Sequence, residues 1–293
     1  MKIAVLIQCH KDPEQVNMMI RAMKHPAFSF YIHVDRKSGI GPLLETGDQV
    51  FLLPEEERVD VRWSRFSLVE SSLKLFRFAA VHGEYDYFWL CSGQDFPIKS
   101  PEQMLSLFEA GGVSVYADLT PSKNTGAGEN NYDKRTAVYF PEWMLDKSLW
   151  KRVLKRAYVE FTGGYRHTFS WARRRPACNL RFYYGSTWVC LSRSCLAWIF
   201  EYLDHHPEYS AFLKNSNCPD ETFFQTLIMN SPFASCRRDG LHYTKWPKNS
   251  NSPKILRMED LDSLLNSPRL MARKFDRFVD GEILEELRLR VSL

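Results

Sequence analysis

The chain has 293 residues, 44% hydrophobic and 14% aromatic, with a formal net charge of +4. Such a composition supports a substantial core, excludes wholesale disorder, and is too weakly basic to argue for a nucleic-acid partner. No apolar run reaches a bilayer span, and the first ten residues lack the apolar length and cleavage site of a signal peptide, so a cytoplasmic location is expected.

Residues 3–8 read as a first strand, 13–24 as a helix with Val16, Met19, Ile20 and Met23 on one face, and Phe28 to Val34 as a second strand. Val50–Leu53 and Val61–Trp63 are short strand candidates. Ser67–Val81 is a helix, with Ser67-x-x-Glu70 in the pattern of a capping box. Tyr85 to Cys91 is an aromatic-rich buried strand that breaks into Ser92-Gly93-Gln94-Asp95, and Ser100-Pro101-Glu102 then starts a helix to Glu109. Val113–Asp118 follows as a strand. The β-α-β-α alternation predicts a mostly parallel sheet with helices on both faces. In such sheets ligands sit beyond the carboxyl ends of the strands, which makes Ser92–Asp95 either a binding loop or an ordinary strand-to-helix turn. Neither a Gly-x-Gly-x-x-Gly nor a Walker-type glycine loop occurs.

Residues 120–181 read as irregular. Within residues 150–175, Lys151, Arg152, Lys155, Arg156, Arg166 and Arg173–Arg175 are interleaved with Trp150, Tyr158, Phe161 and Trp171. This segment is either a solvated face or a peripheral contact with an anionic membrane. Order resumes at Tyr183–Leu191, followed by a helix over Ser192–Leu203, a helix start at Cys218-Pro219-Asp220-Glu221, and a strand candidate at Leu241–Trp246. The seven cysteines (9, 91, 178, 190, 195, 218 and 236) form no Cys-x-x-Cys pair, and buried free thiols explain them better than disulfides or zinc.

Six segments match one family together and in order: Tyr31–Ser38, Trp63–Glu70, Ser92–Ser100, Tyr184–Trp188, Pro219–Phe224 and Leu270–Asp276. On these the sequence resembles the core-2/I-branching glycosyltransferases (glycosyltransferase family 14). The resemblance implies an α/β, GT-A-like single domain over 1–293, with a nucleotide-binding half (1–118) and an acceptor and catalytic half (119–293). It also implies a UDP-sugar donor, inversion at the anomeric carbon, and no required metal or other cofactor. N-acetylglucosamine is the expected donor sugar, with xylose or glucuronate as alternatives. The expected acceptor is a glycan, free or lipid-linked. Animal relatives carry a membrane anchor and stem, so a chain that opens on its first strand is expected to be a minimal catalytic domain. A glycan- or nucleotide-binding module without turnover is the reading from another class.

Inverting transfer needs a base for the acceptor hydroxyl, charge compensation for the departing diphosphate, and a pocket that exposes the anomeric carbon. The resemblance puts the base at Glu221; taken alone, Asp220 and Glu221 could merely complement a helix dipole. The literal Asp-x-Asp at Asp260–Asp262 sits in a helical pattern and reads as surface charge. Lys274, beside Arg273, matches the basic residue that stands in for a metal, and Lys254 is a looser match. His10, Asp35 and Arg65 are candidates around the nucleotide, and Gln94 and Asp95 either face the donor sugar or support the loop. Gly185, Ser186, Thr187 and Trp188 are assigned to the sugar pocket. Trp246, Lys134, Arg135 and Asp220 are assigned to the acceptor, with simple core packing the alternative for Trp246.

Overall fold

A computed structural model of the chain describes residues 1–120, 136, 139, 148–161, 179–248, 250 and 252–291. Lys134, Arg135, Cys178 and the arginines at 166 and 173–175 lie outside the described residues.

The first half alternates strands and helices: β1 (Ile3–Cys9), α1 (Pro13–Ala22), β2 (Phe28–Val34), β3 (Val50–Leu52), α2 (Phe66–His82), β4 (Tyr87–Ser92), β5 (Asp95–Pro97), α3 (Pro101–Glu109), β6 (Val115–Tyr116) and β7 (Leu119–Thr120). There follow α4 (Leu149–Phe161), β8 (Tyr184–Gly185), β9 (Cys190–Ser192), α5 (Arg193–His205), α6 (Pro207–Leu213), α7 (Phe223–Met229), β10 (Arg237–Arg238), β11 (His242–Thr244), α8 (Leu261–Leu265), β12 (Met271–Arg273) and α9 (Glu282–Val291).

Seven strands form the central sheet in the order β10-β6-β9-β4-β1-β2-β3. All run the same way except β9, which is antiparallel to both its neighbours. This is the expected α/β class, a mostly parallel central sheet flanked by helices. A smaller sheet, β11-β12-β5, and the β7-β8 pair complete it.

Alternation along β1 explains why the sheet holds two cores. Ile3, Val5 and Ile7 face a cluster with Val16 and Met19 of α1, Phe108 of α3 and Leu287 of α9. Ala4 and Leu6 face the other cluster, with Leu75 and Phe76 of α2, Ile199 of α5 and Phe224 of α7. Each of these large side chains contributes about 1.5–3 kcal/mol by leaving water.

Three local expectations differ. Val61–Trp63 is not a strand, because its neighbourhood bonds to side chains instead of a ladder: Val59 N donates to His33 Nε2 at 2.9 Å and Val61 N to Asp35 Oδ1 at 3.4 Å. The Ser67 capping box is absent. α2 begins after Arg65, and the Ser67 hydroxyl accepts from Arg62 N at 2.8 Å. A true capping box forms at Ser100 with Gln103, one helix later. Asp95–Pro97 is also a strand, paired with Met271–Arg273, where the sequence reads as loop and helix start.

Candidate active site

Register places Gln8, His33 and Ser92 side by side, at the carboxyl ends of β1, β2 and β4. A cleft of about 1430 Å³ opens beyond them. His10, Asp35, Gln94, Gly185–Trp188, Asp220, Glu221, Trp246, Arg273 and Lys274 all line it. Sequence-distant candidates therefore converge on one cavity.

Glu221 closes a short 3-10 turn, Pro219–Glu221, whose entry residue Cys218 is left-handed at φ 51°. The Tyr184 hydroxyl donates to Glu221 Oε2. Neighbouring Asp220 is buried, and its Oδ2 accepts from Thr187 Oγ1 at 2.9 Å. Gln225 Nε2 of α7 donates to Ser186 O. The Tyr184–Thr187 segment is thus fastened to the turn that carries both carboxylates. Gly185 is required where β8 pairs with β7: a Cβ there would stand 2.1 Å from Asp118 O.

The segment that follows Lys274 is held by two pieces of chain far from it in sequence, Gln94 and the Lys11–Gln15 stretch. Gln94 Nε2 donates to Phe275 O at 3.2 Å, and Phe275 N to Gln94 O at 2.9 Å. Gln15 Oε1 accepts from Arg277 N at 3.0 Å, while Lys11 Nζ meets Asp276 Oδ2 at 2.6 Å. The Lys274 ammonium itself makes no ion pair among the described residues. Desolvation first, then the charges of Arg273 and Lys11, push its pKa down. An ammonium crowded by two cations at a cleft wall is a site that favours an anion.

Arg273 is buried, with its guanidinium 4.0 Å over the Trp188 ring and Nε 3.5 Å from Asp95 Oδ1. Burial lowers the Arg273 pKa, and Asp95 opposes the shift. Asp95 is wholly buried; it accepts from Ser92 N at 2.7 Å and lies 3.2 Å from His242 Nε2. It does not line the cleft, so it supports the floor under Arg273 instead of facing a sugar. Cys91, Asp95 and His242 bring three possible ligand atoms within 4.8 Å of one another. The guanidinium already supplies positive charge there, and burial holds the Cys91 thiol well above its ordinary pKa.

Asp35, at the end of β2, is buried; its carboxylate takes the Lys37 ammonium at 3.2 Å and the amides of Lys37 and Val61. His10 stands at the exposed mouth, where desolvation by the cleft walls, then Lys11, lower its pKa. Trp246 is 57% exposed, which removes core packing as its explanation. Packing on the first βα unit accounts for Gly93: a Cβ there would meet Cys9 Cβ at 2.7 Å.

Besides Asp95, two sequence candidates fall away from the cleft lining, and one reading is corrected. Lys254 Nζ is engaged by Glu259 at 2.5 Å and Asp260 at 2.7 Å, and Arg65 precedes α2 without reaching the lining. Asp260 is not surface charge; it is 1% exposed and also takes Lys245 at 2.8 Å. Sequence reasoning missed Tyr184, Gln8, Lys37, Arg269 and His242 as lining residues. Tyr184 and Lys37 carried a signal, since each lies in one of the six matching segments. Of the cysteines, 9, 91, 190 and 195 are buried and 218 and 236 half-buried, all as free thiols.

A family model described as Core-2/I-Branching enzyme matches residues 3–265. Xylosyltransferase 1 of Homo sapiens is 24% identical over 312 residues, covering 98% of this chain and 30% of the human protein. A xylosyltransferase of Ciona intestinalis is 24% identical over 300 residues, covering 93% and 32%. The chain thus spans about a third of the length of these relatives. Among solved structures, the galactosyltransferase LgtC in complex with donor and acceptor sugar analogues aligns at TM-score 0.40 and 10% identity, covering 99% of this chain and 96% of that one.

Proposed function

The chain belongs to the Core-2/I-Branching enzyme family, and from that premise we propose that it is an inverting, metal-independent transferase that moves a sugar from a UDP-sugar to a hydroxyl of a glycan acceptor. The observation that carries this reading is the convergence, in one cleft, of the Glu221 carboxylate with the Arg273–Lys274 pair. Glu221 takes the proton of the attacking hydroxyl, and Tyr184 orients the carboxylate. Lys274, with Arg273 beside it, compensates the charge that grows on the leaving diphosphate. Asp35, with His10 at the mouth, faces the nucleotide. The Gly185–Trp188 segment with Gln94 bounds the donor sugar, and Trp246 offers an indole face to the acceptor.

N-acetylglucosamine is our first reading of the donor sugar. The xylosyltransferase relatives favour xylose as a second. We place the protein in the cytoplasm, peripheral on the inner membrane face through residues 150–175, with a glycan on a lipid carrier as acceptor.

The test is a calorimetric titration of UDP-xylose, UDP-N-acetylglucosamine, UDP-glucuronate and UDP in EDTA, paired with a transfer assay. Glu221→Gln is expected to keep donor affinity and lose about 10²–10⁴-fold in transfer. Near wild-type transfer by that variant removes Glu221 as the base. Lys274→Ala is expected to weaken UDP binding about tenfold to a hundredfold, the worth of a charge-assisted contact.

A further inference from the structure

Helix α4 is built the wrong way round for a helix packed on a protein. Leu149, Val153 and Ala157 follow one another at four-residue spacing, and Trp150, Leu154 and Phe161 continue the same side. That apolar side faces outward: Trp150 is 82% and Phe161 93% exposed, and Leu149, Val153 and Leu154 are exposed with them. Of this helix only Val159 is buried, on the opposite side, with Tyr158 and Lys155 half-buried around it. The charge is one-sided as well. Lys151, Arg152, Lys155 and Arg156 oppose the single acid Glu160, which Arg156 pairs with at 3.3 Å. Arg152 and Arg156 border one edge of the apolar stripe and Lys151 the other, as the spacing requires.

We propose that α4 is an interfacial helix that docks the enzyme on an anionic lipid surface, with Leu149, Trp150, Val153, Leu154 and Phe161 entering the headgroup boundary and the flanking basic residues meeting lipid phosphates. An outward apolar stripe rimmed by cations fits this occupant by charge. A second copy of this chain would bring the same cations face to face. The helix also lies on the cleft's flank. Lys155 turns inward beside Arg65, three residues on from the cleft-lining Arg62, and the exposed Trp63 lines the cleft mouth on the same stretch. Docking through α4 therefore brings the cleft close to the membrane, where a lipid-carried acceptor is presented. That last step rests on the transferase reading; the docking itself does not.

The experiment is co-sedimentation of the full chain with phosphatidylcholine vesicles and with phosphatidylcholine vesicles containing about 30% phosphatidylglycerol, across a salt series. The expected result is binding to the anionic vesicles that weakens with salt. Lys151→Gln with Arg152→Gln is expected to weaken it about 25-fold, about fivefold per charge. Trp150→Ala with Phe161→Ala is expected to abolish it, while calorimetry shows UDP binding unchanged and so a folded cleft. No vesicle binding by the wild-type chain, or undiminished binding by the Trp150/Phe161 variant, overturns the proposal. Wild-type self-association in sedimentation velocity that this variant loses also overturns it, and assigns the stripe to a second copy. If vesicle binding holds while transfer is absent, docking stands and the transferase reading fails; the converse result separates them the other way.

Discussion

Lys274 and His33 show how two groups with lowered pKa carry opposite consequences. Lys274 is charged yet crowded, so an arriving diphosphate relieves the repulsion. UDP affinity is expected to fall as pH rises through the lowered Lys274 pKa, sooner than for an ordinary lysine at 10.5. Calorimetry in buffers of different ionisation enthalpy, run at rising alkaline pH, is expected to show proton uptake on binding setting in below the ordinary lysine range, because the anion restores the ammonium. His33 is fully buried and accepts from Val59 N, and burial lowers its pKa to about 4. Its neutral form is the folded form. The stability linked to it is complete above the ordinary value of 6.5 and is lost as pH falls toward 4, because the unfolded chain takes up a proton that the folded chain refuses. The loss amounts to about 2 kcal/mol between pH 6.5 and pH 5. His33→Gln keeps an acceptor for Val59 N, so urea unfolding at the two pH values is expected to show a shallower loss for the variant. The protonation states were hidden in the sequence even where the residue was not: His33 owes its state to burial and to Val59, 26 residues on, and Lys274 to burial, to Arg273 beside it and to Lys11 at the other end of the chain.

At the scale of elements, local patterning was legible wherever it answered to burial. β2 spans the residues read as the second strand, buried on both faces, and α1 and α3 begin at their prolines. Legibility failed where the backbone is held by side chains or by a distant strand. Asp95–Pro97 pairs with β12, some 175 residues on, and no local pattern encodes that partner. β9, the one reversed strand, was read only as a return to order. Gly93 illustrates a right residue with a different reason: the β4–β5 loop packs on Cys9 and Val16 of the first βα unit. Gly93→Ala is expected to cost about 1–3 kcal/mol through overpacking, and to loosen Gln94 from Phe275. Chemical denaturation measures the first effect. A UDP affinity that falls more than the affinity of Lys274→Ala already does would show that the loop acts on something besides the lysine.

The whole molecule is a sheet between two cores, with its chemistry gathered along one edge. Six short segments from one end of the chain to the other pointed to a family, and the family was confirmed over residues 3–265. Most of the named candidates share the cleft because parallel strands end their loops on the same side. Lys254 departs because Asp260, read as surface charge, is buried and claims it. If cations of the chain itself compensate the diphosphate, transfer is expected to survive EDTA with its rate unchanged. Full loss in EDTA, restored by Mn²⁺, would require a metal and demote Lys274 to a bystander.

The tail of the fold is sewn to its beginning: residues 274–277 are held by Lys11, Gln15 and Gln94. On the ribosome this sets an order of events. A nascent chain emerging at about 5–20 residues per second can lay down β1, β2 and β4 early, yet it lacks the Arg273–Lys274 cation pair until residue 274 has left the exit tunnel. A chain interrupted between residues 239 and 272 therefore owns every strand of the central sheet and the Glu221 carboxylate but lacks Arg273 and Lys274. On the transferase reading proposed above, such a fragment is expected to bind no donor and therefore to hydrolyse none.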